Sequence, residues 1–103
     1  MNVKKEQGLY TEIAIFRVAE DKKQAFQAVR KLMLERIRSF PGFHSIETLV
    51  SLENPTLMVD YVKWTSAELA HAAAAQAMQD PQLAPAFAAM QVDFFQHFKE
   101  VAS

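Results

Sequence analysis

Apolar and polar positions along this chain follow two periods, and the changes of period mark its elements. Residues 9–18 are rich in Ile, Val, Phe, Tyr and Thr, which predicts a strand, and both faces of it carry apolar side chains. Residues 22–39 repeat apolar positions every three or four residues, which predicts an amphipathic helix that packs on a neighbouring surface. The Pro41-Gly42 step ends that helix, because proline disfavours helix in the residue before it.

The second half of the chain predicts a hairpin followed by another helix. Residues 43–52 alternate apolar and polar positions, and after an Asn-Pro turn residues 56–64 have a second strand composition that ends on the only tryptophan. Thr65 and Glu68 match a capping box, in which the hydroxyl accepts from a free helix amide and the carboxylate reaches back. An alanine-rich helix of high propensity is therefore predicted to start there.

The last third of the chain leaves one alternative open. The Asp80-Pro81 step ends the alanine-rich helix and precedes a shorter one. The phenylalanine-rich tail, residues 91–101, fits a helical stripe or an extended strand, and periodicity alone does not choose between them. If the tail is a strand, the order of elements is βαββαβ, the ferredoxin-like split unit.

Length and composition predict one domain with apolar surface to spare. The chain has 103 residues, so we expect a flexible polar segment at residues 1–8 and a single domain at residues 9–103. Half of the residues are hydrophobic and eight are phenylalanine. This exceeds what the core of a small monomer needs, so part of it is expected to face a partner or a ligand.

Charge and composition also exclude several classes of function. The net charge of −1 and the pI near 6.3 supply no basic patch for nucleic acid. The chain has no cysteine, which excludes zinc–sulfur sites and thiolate nucleophiles and is compatible with a reducing cytoplasm. No stretch resembles a signal peptide or approaches the roughly 18 apolar residues of a membrane span. We therefore expect a cytoplasmic protein without a membrane partner.

Three short motifs resemble one protein family. They are FPGF at residues 40–43, the strand that ends in Trp64, and WTSAEL at the start of the second helix. Together they resemble the antibiotic biosynthesis monooxygenase-like family of dimeric α+β barrels over roughly residues 9–101. The resemblance implies an α+β, ferredoxin-like fold with an antiparallel sheet, and a tail that forms its last strand. It also implies a homodimer in which two sheets meet across a two-fold axis, each protomer keeping a pocket between sheet and helices.

The resemblance implies a particular chemistry. The quinone-forming oxygenases of that family use no metal and no organic cofactor, because the substrate, a deprotonated phenol, supplies the electron to oxygen. The protein binds the aromatic molecule, stabilises its anion and excludes water. In those enzymes an asparagine four residues before the tryptophan shares the pocket with it. Here that position is Asp60, a candidate general base whose charge disfavours a phenolate unless it is protonated.

The histidine pattern departs from the family as well. Many members have a histidine about nine residues after the tryptophan, where this chain has Ala73. His71 lies two residues earlier, about 200° around the helix, and is either a second catalytic acid–base candidate or a surface residue. The first strand lacks the asparagine of the haem-degrading branch, so haem degradation is disfavoured. His44 and His97 have no second ligand at a recognisable spacing, and no metal site is expected.

The remaining candidates would bind substrate. Trp64 is expected to anchor the corner between strand and helix, to form a pocket wall, or both. Arg17 could bind a carboxylate or phenolate through its planar fork, or form an edge salt bridge. Tyr61 and Phe87 are candidates for the aromatic wall, with core or dimer interface as the alternative.

Three functions follow from these patterns. The leading one is a cofactor-independent monooxygenase that acts on a small aromatic or quinone-like metabolite. The second is a non-catalytic dimeric barrel that binds or senses a small hydrophobic ligand. The third is a housekeeping barrel whose pocket has closed. An open pocket of a few hundred cubic ångströms beside Trp64 separates the first two from the third.

Overall fold

Four antiparallel strands form one sheet in the computed structural model, which describes residues 8–102. The strands are β1 (Tyr10–Arg17), β2 (Phe43–Val50), β3 (Leu57–Trp64) and β4 (Gln91–Lys99), in the spatial order β2-β3-β1-β4. The tail is therefore a strand, and β4 pairs with β1 along its length with one bulge at Asp93. Of the flexible segment predicted at residues 1–8, only Gly8 lies within the described residues.

Three helices cover one face of this sheet. They are α1 (Lys23–Ser39), which follows a 3-10 turn at Glu20–Lys22, then α2 (Ala67–Gln79) and the short α3 (Ala84–Ala88). Helices α1, α2 and α3 meet around Leu83, which is completely buried with Met33, Ala77 and Ala86. The predicted α+β ferredoxin-like arrangement is confirmed. None of the helices within residues 8–102 is long and apolar enough to cross a membrane.

The helix α2 begins one residue later than predicted. Its N-cap is Ser66, whose hydroxyl accepts from the Leu69 amide at 3.0 Å. The Thr65 amide instead donates to the carbonyl of Gly42 at 2.8 Å, across the corner that ends α1. The predicted capping box of Thr65 and Glu68 is therefore wrong, because the chain at Thr65 is held by the neighbouring turn before the helix starts.

This corner brings together the motifs that were separate in the sequence. Gly42 has φ of +88°, a conformation that side chains with a Cβ rarely adopt. A Cβ at this position would lie 2.7 Å from the Cβ of Leu69, so α2 packs directly on the glycine. Beside it, the ring of Phe43 meets Trp64 edge to face, with 5.9 Å between centroids. The FPGF and WTSAEL motifs thus form one packing contact.

The two faces of the sheet have different surroundings. The helix side buries Ala14, Phe16, Val62 and Trp64, in two of the three clusters that make up the core. Within residues 8–102, no helix covers the opposite face. We call it the open face, and its apolar members are Ile13, Ile15, Leu49, Val59, Tyr61, Phe94 and Phe98. On it Phe94 and Phe98 stack with 6.2 Å between centroids while remaining 37% and 42% exposed.

Substituting Gly42→Ala is expected to destabilise the protein by about 1–2 kcal/mol or more, because the alanine must adopt a left-handed conformation and displace α2. Urea unfolding followed by circular dichroism measures this. Gly8→Ala is the matched control, since nothing lies within 4 Å of a Cβ built there. Equal unfolding midpoints for the two variants would show that the corner has no such role.

Candidate functional site

A cavity of about 410 Å³ lies between the sheet and the helices. This volume is within the range of cavities that hold small organic ligands. Its wall is almost entirely apolar, and the polar side chains in it come from the sheet. The lining residues are Glu12, Ala14, Met33, Ile37, Phe40, Asp60, Val62, Trp64, Ala73, Ala74, Ala77, Met78, Phe87, Met90, Val92 and Phe95.

The cavity exists because its helical wall is built from small side chains. Ala73, Ala74 and Ala77 of α2 face it, and each ends one carbon from the backbone. Larger residues close the other sides, among them Phe87 from the stretch of α3. The alanine-rich sequence thus gives α2 high helix propensity and also leaves the space over the sheet unfilled.

Trp64 takes both of the roles predicted for it. Its side chain is 2% exposed, packs against Phe43 at the corner, and forms part of the cavity wall. The indole N–H is buried and makes no hydrogen bond among the described residues. A buried donor without a full hydrogen bond is costly, and the Glu12 carboxyl is the group on which this N–H acts.

Asp60 lines the cavity, but its carboxylate already has partners. It is 5% exposed and accepts from the Thr48 hydroxyl at 2.9 Å and from the guanidinium of Arg30. Arg30 in turn lies over the rings of Phe16 and Phe26, at 5.8 and 5.3 Å from their centroids. Because a buried charge is tolerated when it is paired, this arrangement explains how an aspartate sits beneath the cavity. Its role as a general base stays a prediction.

A second carboxyl in the cavity wall is less well compensated. The pKa of Glu12 on β1 is raised from 4.5 to about 7, chiefly by burial and in smaller part by the nearby charge of Asp60. The Trp64 indole N–H and the charge of His71 act in the opposite direction. The Trp64 N–H thus lowers this pKa without the distance and angle of a full hydrogen bond. A carboxyl with a pKa near neutrality can both accept and return a proton at physiological pH.

Two histidines lie behind Glu12, away from the cavity. The His97 Nε2 is 2.9 Å from the Glu12 Oε1, and both side chains are mostly buried. Burial lowers the pKa of His97 below its ordinary value. The ring of His71, which is exposed on α2, meets His97 edge to face with 4.6 Å between centroids. His71 itself is not part of the cavity wall.

The other predicted binding residues divide between the two faces of the sheet. Phe87 lines the cavity, as a wall residue must. Tyr61 lies on the open face, where the ammonium of Lys63 is 5.6 Å from its ring centroid. Arg17 pairs with Asp93 at 2.8 Å at the exposed end of β1, in the edge salt bridge considered as its alternative. Neither Tyr61 nor Arg17 reaches the cavity of its own chain.

Sequence reasoning missed Glu12 and Arg30. Glu12 had a readable signal, since it is the only charged residue on a strand face otherwise made of Tyr10, Ala14, Phe16 and Val18. Arg30 had no such signal, because a cation on an amphipathic helix ordinarily faces water. Within residues 8–102 no three histidine, aspartate or glutamate side chains are grouped so that they could hold a metal ion.

Comparison with known proteins identifies the family to which this fold belongs. The sequence profile of the antibiotic biosynthesis monooxygenase family matches residues 9–92. The chain belongs to this family. No curated protein sequence matches it. Asp60 and Ala73, the two positions at which the family resemblance implies a different residue, both line the cavity.

Several solved structures of antibiotic biosynthesis monooxygenase-like proteins have the same fold. SnoaB from Streptomyces nogalater, described as a cofactor-independent oxygenase, has a TM-score of 0.77 and 19% identity over 93% of this chain and 96% of its own. A family member from Bordetella bronchiseptica has a TM-score of 0.75 and 19% identity, covering 93% of this chain and 100% of its own. One from Nitrosomonas europaea reaches 0.73 and 19%, with 96% of each chain covered. At these identities the likeness is one of fold.

Replacing Glu12 by glutamine is expected to change how stability depends on pH. The folded pKa is about 7 and the unfolded value is 4.5, so the folded protein holds a proton that the unfolded chain has lost between these values. The stabilisation from protonated Glu12 is full below pH 4.5 and is lost as the pH rises to about 7. The stability of wild type relative to Glu12→Gln should therefore fall across this window.

Thermal melts of both proteins at intervals of pH measure the difference. His97 is hydrogen-bonded to Glu12 and its lowered pKa contributes with the opposite sign, so the subtraction reports the Glu12–His97 pair. The control is Glu53→Gln, at an exposed position in the turn between β2 and β3, for which the same difference should be smaller. A wild-type minus Glu12→Gln difference that does not fall between pH 4.5 and 7 contradicts the assignment.

Proposed function

We propose that this protein is a cofactor-independent monooxygenase that oxidises a small aromatic, quinone-forming metabolite in its cavity. The observation that carries the proposal is the enclosed apolar cavity with one carboxyl, Glu12, whose pKa is about 7. Membership of the antibiotic biosynthesis monooxygenase family supports the reaction class. The fold shared with a cofactor-independent oxygenase is consistent with chemistry that relies on the substrate itself.

The cavity offers each group that such a reaction needs. An aromatic substrate would lie against Trp64, Phe87 and Phe95, and the apolar wall would exclude water from its anion. Ionised Glu12 would accept a proton from an activated hydroxyl or methylene of the substrate. The buried indole N–H of Trp64 would favour the ionised form of Glu12, the form that acts as the base.

The electrons balance without a further reagent. The substrate anion reduces dioxygen, a carbon–oxygen bond forms at the activated methylene, and the resulting hydroperoxide loses water. The CH₂ group and O₂ thus become a carbonyl and one molecule of water. The proton taken by Glu12 returns to the peroxide oxygen, so the carboxyl ends in its starting state.

Asp60 has a narrower part in this proposal. Its ion pair with Arg30 makes it a fixed polar edge of the cavity, and both side chains of the pair are mostly buried. The substrate panel described below compares it directly with Glu12. Arg17 and Tyr61, predicted to bind substrate, lie where a second copy of the chain would cover them, and their roles stay predictions.

We propose further that the protein is a homodimer that buries the open face. This face is apolar in mid-strand, no helix covers it, and large apolar side chains on it remain exposed. A β-sheet in the family's fold is covered by helices on one side and by the partner's sheet on the other. This interface would account for the hydrophobic residues that exceed what the core of a small monomer needs. The cytoplasmic location stays a prediction.

Sedimentation at micromolar concentration should give twice the chain mass of 11.7 kDa. Phe94→Asp, which puts a charge beside Ile15 on the open face, is expected to shift the protein to the mass of one chain. Leu52→Asp is the matched control, because Leu52 is 94% exposed in the β2–β3 turn and lies away from that face. A wild-type protein that stays monomeric would overturn the dimer.

Oxygen consumption with a panel of hydroquinones and anthrones tests the activity. Glu12→Gln is expected to lower kcat by about 10²- to 10⁴-fold, the usual contribution of a general base. Asp60→Asn should lower it less, and Glu53→Gln should leave it unchanged. A larger loss in Asp60→Asn than in Glu12→Gln would make Asp60 the base.

The alternative function, a non-catalytic binder, gives a different outcome in the same experiment. The departures at Asp60 and Ala73, both in the cavity wall, are what favour it. Trp64 is the only tryptophan and lines the cavity, so its fluorescence reports occupancy. Quenching by panel compounds without oxygen consumption would support binding alone, and the monooxygenase proposal would fall.

A further inference from the structure

We propose that His97 and His71 form a proton path that connects Glu12, in the cavity wall, to solvent outside the cavity. The path rests on the proposed function, because a Glu12 that is protonated when substrate binds must lose that proton before it can act as the base. It assigns functions to a histidine on β4 and to a histidine on α2 that does not line the site.

The three side chains stand in order from cavity to solvent. Glu12 lines the cavity, whereas His97 and His71 do not. His97 is hydrogen-bonded to Glu12 at 2.9 Å, and the His97 side chain is 16% exposed. His71 is exposed, and its ring is in contact with His97. Exposure therefore increases along the series, and each member touches the next.

The need for such a path comes from the cavity itself. A bound aromatic molecule would fill the space in front of Glu12 and keep water from it. Glu12 would then be unable to exchange its proton with solvent through the cavity. The only titratable group hydrogen-bonded to Glu12 among the described residues is His97, so the exchange must pass through that ring.

The proton moves without any change of oxidation state. Protonated Glu12 gives its proton from Oε1 to Nε2 of His97, breaking the O–H bond and forming an N–H bond. The His97 imidazolium releases a proton to a water molecule beside His71, and His71 exchanges that proton with bulk solvent. No hydrogen bond joins the two rings, which is why water serves the middle step. The reverse sequence returns a proton to Glu12.

The surroundings of Glu12 and His97 favour a state in which the two side chains share one proton and neither is charged. Burial disfavours the charged forms of both Glu12 and His97, so a carboxyl and a neutral imidazole share the proton. The other charges that face the pair are Asp60 on β3 and Lys99, which lies two residues beyond His97 on the same face of β4 next to Tyr10. Asp60 raises the pKa of Glu12 even though it is paired with Arg30, and this favours the neutral carboxyl.

Steady-state kinetics test the path through conservative variants. His97→Gln can keep the hydrogen bond to Glu12 but cannot carry a proton, so kcat should fall about tenfold or more at low buffer concentration while KM is unchanged. Free imidazole should restore part of the rate in His97→Ala, where the ring has been removed. His71→Gln should show a smaller loss that rising buffer concentration removes.

The matched control is His44→Gln. His44 is an exposed histidine on β2 whose only side-chain hydrogen bond among the described residues is to the adjacent Ser45. The His44→Gln variant should leave kcat, and the dependence of kcat on buffer concentration, unchanged. Full activity of His97→Gln at low buffer, or an equal loss in His44→Gln, would overturn the path.

A second readout needs no turnover and separates this inference from the proposed function. Carbon NMR of the Glu12 carboxyl and nitrogen NMR of the imidazoles follow their titrations, with the cavity empty and with anthraquinone, a probe that is not oxidised. If the groups form one path, His97→Gln and Glu12→Gln each shift the titration midpoint of the other group by half a pH unit or more, and His71→Gln shifts that of Glu12.

The oxygen-consumption measurements and the NMR titrations have distinct outcomes. Coupled titrations without oxygen consumption would support the path and refute the monooxygenase proposal. Independent titrations of Glu12 and His97 would refute the path, even if the protein consumes oxygen.

Discussion

The close approach of α2 to Gly42 is the contact on which the site depends. Because Gly42 has no Cβ, Leu69 packs against the turn. The Gly42 carbonyl also accepts a hydrogen bond from the amide of Thr65, just before α2 begins. Because this sets where α2 crosses the sheet, it also sets the height of the alanine wall above Glu12 and Asp60. Trp64 fills the remaining corner. A cavity of this size is thus a consequence of backbone packing at one turn, with side chains deciding its chemistry.

Two carboxyls face the same cavity and are stabilised in different ways. Asp60 is paired with a guanidinium and a hydroxyl, so it can keep its charge at a cost that the pair offsets. Glu12 has an imidazole that is itself buried, and the favourable state of that pair is neutral. The difference separates a fixed charge from a titratable one, which is the division of labour that acid–base sites use.

The sequence predicted the architecture well because its signals were local. The Pro41-Gly42 stop, the alternation in the hairpin and the alanine-rich helix each depend on neighbours in the chain. The position of β4 needed the family resemblance, since a phenylalanine stripe fits two periods. The site was harder, because the pairs Glu12–His97 and Arg30–Asp60 join residues 85 and 30 positions apart. Only the strand register and the helix crossing bring those side chains together.

The chemistry of this fold can change without disturbing its packing. The polar groups of the site stand on β1 and β3, whose backbone positions are held by the sheet ladder. The space above them is held by α2, where Ala73 occupies the position at which the family resemblance implies a histidine. Alanine has a smaller side chain than histidine, so it leaves more of the cavity open and places no titratable group in that wall. The proton path that we propose then depends on His97 and His71, which form a chain of contacts from Glu12 and do not line the cavity.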